Sequence, residues 1–322
     1  MDTIVWTELR SLLRSVALAP SASRIVAGAS RKAGEFIRAF EHTVRPIVDT
    51  SITDPAQRAQ VTEALLSYAT KTCFVIAGYA RMTGVPFASD VAVLGLSFTR
   101  LYDDLFDRAD YQDLDERLHA LFEHNVFTPS ADLELLLYRL YREIDLKLDR
   151  EHDDPIYAAV SAVHDYQIRA RCQSDPLASR STLEEVTFGK GGQGTLAVFA
   201  LMRAGLGERE RQLILEIGEV LQLMDDYLDI DEDTLAHSRT LATEGHLGLP
   251  DVCRRLRVAR VKLIAYYGRR STREFFGVCY LTLWMCFLRR RWPRRAGPGR
   301  ALSPWDVVSR PGGSVIPDVI PD

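Results

Sequence analysis

The spacing of apolar residues is the sequence feature that most restricts the fold of this chain. Over most of its 322 residues, apolar positions recur three and four apart, with Ala, Leu, Arg and Glu between them. That periodicity is typical of amphipathic α-helices, and stretches with the alternation of β-strands are few. Pro, Gly, Asp and Ser cluster between the periodic stretches, where they favour helix ends. The sequence therefore predicts an all-α fold of about ten helices.

The helices predicted from this periodicity cover most of the chain. They span residues 3–18, 29–48, 55–83, 87–108, 112–124, 131–149, 155–174, 182–205, 207–231, 249–269 and 272–291. Ser181 and Glu184 have the spacing of a capping box at the start of one of them. We expect residues 1–292 to form a single domain. The Pro-, Gly- and Arg-rich tail, residues 293–322, is expected to be disordered.

Composition limits the partners and the compartment. Lys and Arg number 40 against 44 Asp and Glu, and this net charge of −4 gives no reason to expect nucleic-acid binding. The 5 cysteines are scattered without a CxxC pair, which favours a reducing, cytoplasmic compartment. The longest apolar run, residues 275–288, is short for a bilayer span and is followed by arginines. Residues 275–295 therefore fit either a buried last helix or peripheral contact with an anionic membrane surface.

Two acidic segments carry the strongest chemical signal. The pattern D-D-x-x-D begins at Asp103 and again at Asp225, each time directly after an apolar helical run. On a helix, Asp103 and Asp107 lie on one face. Asp225, Asp229 and Asp233 line up in the same way if the second helix continues that far. A solvated acidic surface would explain either segment alone, but it is a poor explanation of the repetition.

Carboxylates at this spacing repel one another on a helix, and a bound cation would remove that cost. Sets made only of carboxylates suit a hard ion such as Mg²⁺, which shares its coordination shell with water and substrate phosphate. The predicted metal ligands are Asp103, Asp104, Asp107, Asp225, Asp226 and Asp229. Among them, Asp103, Asp107 and Asp225 are the predicted catalytic residues.

Two facing carboxylate sets above apolar helix walls would suit the ionisation of an allylic diphosphate. Metal ions would bind the diphosphate at the mouth, and the attached hydrocarbon would lie in an apolar cavity below. Neutralising the leaving diphosphate lowers the barrier to breaking its C–O bond. A dry pocket with aromatic faces can then protect the resulting carbocation from water.

From about residue 55 to residue 270, the chain resembles the isoprenoid synthase superfamily, which includes trans-prenyl diphosphate synthases and class I terpene synthases. The two acidic segments resemble the two aspartate-rich motifs of that family. Gln222 stands where prenyl synthases carry a Gln before the second motif. The segment LEEVTFGKGGQGTLAVF resembles the helix that carries a Lys-Thr pair in prenyl synthases. Lys190 matches that lysine, whereas Gly191 replaces the threonine.

The resemblance implies a helical bundle around a central apolar cavity, a cofactor of three Mg²⁺ ions, a prenyl diphosphate substrate and a homodimer. In the family the lysine contacts the diphosphate, and the residues after it line the cavity. A basic residue after the second motif also reaches the diphosphate, and Arg239 fits this role better than His237 because its charge is fixed. The residues expected to bind substrate are Lys190, Gln193, Gln222, Arg239, Phe98, Tyr102 and Phe199.

The chain departs from chain-elongating synthases where those enzymes bind a second diphosphate. Those enzymes hold isopentenyl diphosphate with a basic segment, and only Lys71 could take its place here. After the first motif the family has paired arginines, whereas this chain has Arg108 alone. We therefore expect a class I terpene synthase that cyclises or quenches the carbocation of a C15 or C20 substrate. One alternative is a prenyltransferase that uses isopentenyl diphosphate or another lipid acceptor. The other is a non-catalytic helical subunit of a prenyl synthase complex.

Overall fold

The computed structural model describes residues 3–14, 19–106 and 113–291, and every regular element in these ranges is helical. The helices are α1 (Thr3–Leu13), α2 (Ala19–Thr43), α3 (Arg45–Ser51), α4 (Pro55–Thr83), α5 (Ser89–Phe106), α6 (Leu114–His124), α7 (Asp132–Leu148), α8 (Pro155–Ala170), α9 (Arg180–Ala200), α10 (Glu208–Leu228), α11 (Ile230–Leu235), α12 (Leu249–Tyr267) and α13 (Thr272–Arg291). The prediction of an all-α chain is confirmed. The tail predicted to be disordered, residues 293–322, lies outside the described residues.

Several helix boundaries differ from the prediction, and three of the differences have local reasons. The helix predicted across Pro46 is divided into α2 and α3, because proline has no N–H to continue the hydrogen-bond ladder. The chain also leaves helical geometry at Asp229, which separates α10 from α11 with φ −100° and ψ 9°. The capping box predicted at Ser181 is wrong. Ser179 is the N-cap of α9, and its side chain accepts a hydrogen bond from the Thr182 N–H at 3.2 Å.

The described residues form two compact units. The first unit comprises the described residues of 1–25, 78–85 and 153–291, and the second comprises those of 26–77 and 86–152. The second acidic segment belongs to the first unit, and the first acidic segment belongs to the second unit. The expectation of a single domain over residues 1–292 remains a prediction.

In the first unit, α9 and α10 meet at two glycines. A β-carbon at Gly218 would lie 2.5 Å from the carbonyl oxygen of Gly191. A β-carbon at Gly191 would lie 2.3 Å from the Cβ of Gln222 and 2.8 Å from the carbonyl oxygen of Gly218. Any larger residue would force the two helices apart, because a packed interior has no space to absorb the added atoms. This contact is the physical reason for a glycine after Lys190.

In the second unit, α5 is buried from Val91 to Ser97. A buried ion pair between Arg117 and Glu134 fixes the start of α7. The Glu134 side chain is fully buried and accepts hydrogen bonds from two guanidinium nitrogens of Arg117 at 2.6 and 2.7 Å. The Ser130 N–H donates to the same carboxylate at 2.7 Å. Burial by itself raises the pKa of Glu134, but the hydrogen bonds from Arg117 and Ser130 outweigh it and hold that pKa below its ordinary value.

The apolar run near the end of the chain forms part of the core of the first unit. Phe275, Phe276, Cys279 and Leu283 of α13 are fully buried. These side chains therefore pack against protein, as expected of a buried last helix. None of the described helices combines the length and the hydropathy needed to cross a membrane.

Candidate functional site

The second acidic segment lies where α10 passes into α11. The Asp229 N–H donates to the carbonyl oxygen of Asp225 at 2.9 Å, and the Asp233 N–H donates to that of Asp229 at 2.8 Å. One hydrogen bond between residues four apart thus ends at Asp229 and another begins there, although the dihedral angles of Asp229 interrupt the helix. This arrangement holds the side chains of Asp226, Asp229 and Asp233 within electrostatic range of one another.

Asp226 is the most deeply buried acid of this segment, with 6% of its surface exposed. Its Oδ1 accepts a hydrogen bond from Gln222 Nε2 at 3.0 Å, whereas its Oδ2 has no hydrogen-bond partner. Burial raises the pKa of Asp226 to about 6, and the charge of Asp229 adds to this shift. The Gln222 amide and the Lys190 ammonium act in the opposite direction. The carboxylate thus has an oxygen available to a further ligand.

Asp233 is half-buried and faces the same cluster. Burial raises its pKa to about 7, and the charges of Asp226, Asp229 and Glu232 add to the shift. The charge of Lys190 lowers it. Among the described residues, Asp226 and Asp233 therefore lie in the field of Lys190, and neighbouring carboxylates oppose the ionisation of both.

Glycines on both sides of Lys190 let α9 pack closely enough to bring its ammonium group to the cluster. A β-carbon at Gly189 would lie 2.0 Å from Cε1 of Tyr166 on α8, and Gly191 packs against Gln222 on α10. The backbone at Lys190 is therefore enclosed by two neighbouring helices. The close packing of α9 against α10 places the positive charge of one helix beside the carboxylates of the other.

The structure brings five residues of the second segment and its surroundings together. They are Lys190, Gln222, Asp226, Asp229 and Asp233. Asp225, the predicted catalytic residue of this segment, is exposed at the surface of α10. Asp233 continues the four-residue spacing of Asp225 and Asp229, but it is not among the predicted metal ligands. Gln193, predicted to bind substrate, is half-buried on α9.

Arg290 supports the same helix end and was not predicted as a site residue. Its guanidinium donates to the carbonyl oxygens of Tyr227 at 2.9 Å and Leu228 at 3.4 Å. Its Cζ also lies 4.7 Å from the centre of the Tyr227 ring. A cation that binds the last carbonyls of a helix stabilises the helix end. No local pattern signals this role, because Arg290 belongs to a run of arginines after an apolar stretch.

The first acidic segment ends α5 in the second unit. Arg100 binds Asp104 through two nitrogens, at 3.0 Å from Nε to Oδ2 and 2.9 Å from Nη2 to Oδ1. The Asp104 carboxylate, a predicted metal ligand, is thus engaged by an arginine of its own helix. Asp103 is half-buried. Asp107 lies outside the described residues, so its predicted metal-binding and catalytic roles remain predictions.

Arg239 has a different environment from the one expected of a diphosphate ligand. Two of its nitrogens bind Glu244 at 2.9 and 3.1 Å, and the third donates to the carbonyl oxygens of Asp175 at 2.7 Å and Ala178 at 3.2 Å. The hydrogen bonds to Glu244 raise the pKa of Arg239. These contacts join two loops, and none of them is made with the acidic cluster.

The aromatic residues predicted to line a cavity belong to two separate aromatic clusters. Phe98 and Tyr102 lie in the second unit with their ring centres 6.0 Å apart, next to Phe122. Phe199 lies in the first unit, fully buried, and stacks on Tyr79 with a centre-to-centre distance of 4.0 Å. Each cluster packs as a hydrophobic core would, and a role in enclosing substrate remains a prediction.

The donor chemistry of the acidic cluster suits Mg²⁺, although its side chains do not form a ready coordination site. In the part of the chain that the structure describes, no group of three or more His, Cys, Asp or Glu side chains is arranged to hold a metal ion. Carboxylate oxygens are nevertheless the protein ligands that Mg²⁺ prefers. The partnerless Oδ2 of Asp226, beside Asp229 and Asp233, is the observation that fits such an ion.

Comparison of the sequence with protein-family models and with curated proteins finds no match.

Proposed function

We propose that this chain is a Mg²⁺-dependent class I terpene synthase of the isoprenoid synthase fold, which ionises a C15 or C20 prenyl diphosphate and cyclises or quenches the carbocation. The observation that carries this proposal is the partly buried cluster of Asp226, Asp229 and Asp233 beside Lys190. Excess negative charge under partial burial favours a bound cation. A metal-bound diphosphate also needs a protein cation such as Lys190 for its outer oxygens.

Each residue of the cluster has a distinct task in this proposal. Lys190 would bind an oxygen of the diphosphate, and its charge already offsets the repulsion among the carboxylates. Gln222 holds one oxygen of Asp226 at 3.0 Å and leaves the other oxygen for an ion. Arg290 keeps the last turn of α10 in place through the carbonyl oxygens of Tyr227 and Leu228. Such prior positioning lowers the cost of assembling the site around the substrate.

When bound, Mg²⁺ would neutralise the charge that develops on the departing diphosphate. Asp226, Asp229 and Asp233 are the residues of the first unit that would hold it. That Asp103 and Asp107 also bind metal stays an expectation from the sequence. The proposed central apolar cavity would exclude water from the cation, and its aromatic walls would stabilise the positive charge.

An assay with different allylic substrates separates the terpene synthase from the alternative functions. The full chain is incubated with Mg²⁺ and geranyl, farnesyl or geranylgeranyl diphosphate, with and without isopentenyl diphosphate. Hydrocarbon or alcohol formed without isopentenyl diphosphate supports the synthase, whereas longer diphosphates formed only with it support a prenyltransferase. Turnover that appears only when a second chain is added supports the non-catalytic subunit.

Lys190→Gln tests the role assigned to the cluster. We expect it to raise the KM for the diphosphate at least tenfold, because the variant loses a charge-assisted contact worth about 1.5–3 kcal/mol. Lys262→Gln is the matched control, since Lys262 pairs with Glu216 at 2.7 Å on the surface of the same unit. Equal KM values for the two variants would contradict the assignment of Lys190.

A further inference from the structure

A group of arginines between α12 and α13 has no role in the proposed reaction. Arg257 and Arg260 lie one turn apart on α12 and are half-buried. The Nη1 atom of Arg257 and the Nε atom of Arg260 are fully buried, and neither has a hydrogen-bond partner in the described part of the chain. A buried charged donor without a partner costs more than the roughly 1–3 kcal/mol lost by a neutral one. Two such donors side by side therefore indicate a missing acceptor.

Acidic residues of α12 and α13 do not supply that acceptor. Asp251 is the only acid of α12, and it binds Arg254 at 3.0 Å. Glu274 is the only acid of α13, and it binds Arg81 at 2.9 Å. The loop between the two helices, Gly-Arg-Arg-Ser, contains no acid. The carboxylates of α12 and α13 are thus engaged with other arginines.

Several further groups add to the positive field at this place. Burial lowers the pKa of Arg260, and the charges of Arg269 and Arg273 lower it further. The Tyr280 side chain is 4% exposed, and both Arg257 and Arg260 act electrostatically on its hydroxyl group. Arg257 and Arg260 beside this hydroxyl, with Arg269 and Arg273 near Arg260, carry more charge than a single carboxylate would balance. An anion with two or more negative charges matches this field better.

We propose that Arg257 and Arg260 form an oxyanion site that binds a phosphate-type ligand, with Tyr280 beside it and Arg269 and Arg273 at its rim. A tetrahedral phosphate presents several acceptor oxygens, so one ligand can accept hydrogen bonds from more than one guanidinium group. Free phosphate, diphosphate and the headgroup of an anionic lipid share this chemistry.

This site is distinct from the acidic cluster near Lys190. Lys262, on the same helix, reaches Glu216 of α10 at 2.7 Å, and the Arg255 guanidinium lies 5.3 Å from the ring of Phe188 on α9. Arg257 lies two residues after Arg255, and Arg260 lies two residues before Lys262. Each therefore points about 160° around the helix from that neighbour, on the side of α12 opposite to α9 and α10. The site therefore neither uses the residues of the proposed reaction nor depends on that reaction.

The test measures anion binding to the full chain in EDTA, which keeps metal-dependent binding at the acidic cluster out of the measurement. Titration with inorganic phosphate and with diphosphate, followed by calorimetry at constant ionic strength, should give a Kd below about 1 mM. Arg257→Gln/Arg260→Gln should weaken binding at least tenfold. Arg254→Gln, on an exposed position of the same helix, should leave it unchanged. Asp226→Asn should also bind as the wild type does, whatever its effect on turnover.

A second arm identifies the source of the phosphate. Vesicles of phosphatidylcholine, with or without phosphatidic acid, are sedimented with the wild type and with the double variant. Binding to the acidic vesicles alone, lost in the double variant, assigns the site to a lipid headgroup, whereas binding of free phosphate alone assigns it to a small molecule. Absence of binding in both arms, or binding that the double variant retains, overturns the proposal.

The stability of the double variant separates a ligand site from a structural role. Because the variant removes two partnerless buried donors, its free energy of unfolding without phosphate should equal or exceed that of the wild type. Phosphate should then raise the melting temperature of the wild type but not that of the variant. If the double variant does not fold, Arg257→Lys/Arg260→Lys keeps both charges but loses the planar fork. Phosphate affinity in that variant equal to the wild type would overturn the site.

Discussion

The two acidic segments share the pattern D-D-x-x-D, but their charges are compensated in different ways. In the first segment, Arg100 binds Asp104 through two nitrogens from the preceding turn of the same helix. In the second segment, neighbouring carboxylates raise the pKa values of Asp226 and Asp233, and the opposing charge of Lys190 comes from another helix. The same local pattern thus has a compensating cation in its own helix in one unit and depends on tertiary contacts in the other.

This difference indicates which segment gains more from a bound cation. A carboxylate held by a guanidinium must lose that partner before it can bind a metal ion, whereas the Asp226 oxygen without a partner gains a ligand at no such cost. We therefore expect the second segment to dominate metal binding and the first to contribute less per carboxylate.

Neutralising one acid in each segment tests this comparison and should give the largest effect. Asp226→Asn should lower kcat/KM by about 100-fold, in the range seen for loss of a preorganised electrostatic group. Asp104→Asn should lower it less than tenfold, because Arg100 already neutralises that carboxylate. The measurement is steady-state turnover of the best allylic diphosphate at several Mg²⁺ concentrations.

Asp165→Asn provides the control for this comparison, since Asp165 is exposed on α8 in the same unit as Asp226. Its turnover should match that of the wild type. A larger loss in Asp104→Asn than in Asp226→Asn would reverse the order of the two segments.

The helix contact that brings Lys190 to the second segment should be next in effect. In Gly218→Ala, the added methyl group would lie 2.5 Å from the Gly191 carbonyl oxygen, so we expect a loss of about 1–3 kcal/mol in the free energy of unfolding. Gly194→Ala on α9 is the matched control, because its nearest neighbour is a Val163 methyl group at 4.0 Å. Urea denaturation followed by circular dichroism measures the unfolding free energy of both variants. A loss in Gly218→Ala no larger than that in Gly194→Ala would show that the contact between α9 and α10 tolerates a side chain.

Most helices could be predicted from the sequence because their signals are local, whereas the arrangement of the site could not. The apolar period predicted α4 with the bounds that the structure gives, 55–83. The acidic pattern predicted a cluster at the end of α10 but not that Asp226, instead of Asp225, is the buried acid. Two adjacent residues point about 100° apart on a helix, and which one is buried depends on how α10 rotates against α9. That rotation is fixed by Gly191 and Gly218, two residues whose contact no local pattern reveals.

The same limit explains two other differences between the predicted and the observed site. Arg239 has the charge and the sequence position of a diphosphate ligand, but its partners, Glu244 and two loop carbonyls, become visible only in the folded chain. Arg290 lies in a basic run that resembles a membrane-binding segment, yet it binds the end of α10. Arg290 contacts a residue distant in sequence, and Arg239 contacts groups in irregular loops, so no local pattern predicts either contact.

The pH dependence of stability should differ in sign between the acids of the two units, and this effect should be smaller than those of the variants above. The raised pKa values of Asp226 and Asp233, about 6 and about 7, mean that the folded state takes up protons that the unfolded state does not. Stability should therefore rise as the pH falls from about 8 to about 5, by on the order of 1–3 kcal/mol for Asp226. The pKa of Glu134 is lowered in the folded state, so its ionised form stabilises the fold above the unfolded-state pKa. This stabilisation is lost as the pH falls through the folded-state pKa.

Variants assign these two opposite trends to their residues. Asp226→Asn should flatten the rise between about pH 8 and pH 5 and should increase stability at pH 8, since the buried charge is gone. Glu134→Gln should remove the loss at lower pH while reducing stability at neutral pH. Chemical denaturation at closely spaced pH values measures both. A rise that persists unchanged in Asp226→Asn would assign it to other groups.

The smallest effect expected is the coupling between Arg100 and Asp104, and it measures how completely the first segment is compensated. A double-mutant cycle with Arg100→Gln and Asp104→Asn should give a coupling of about 1 kcal/mol in unfolding free energy, because both side chains are largely shielded from water. Arg100→Gln alone should also strengthen the dependence of turnover on Mg²⁺, since it leaves Asp104 to a metal ion. If the coupling is absent and Mg²⁺ dependence is unchanged, the ion pair does not compensate the segment. The contrast between the two segments would then rest on burial alone.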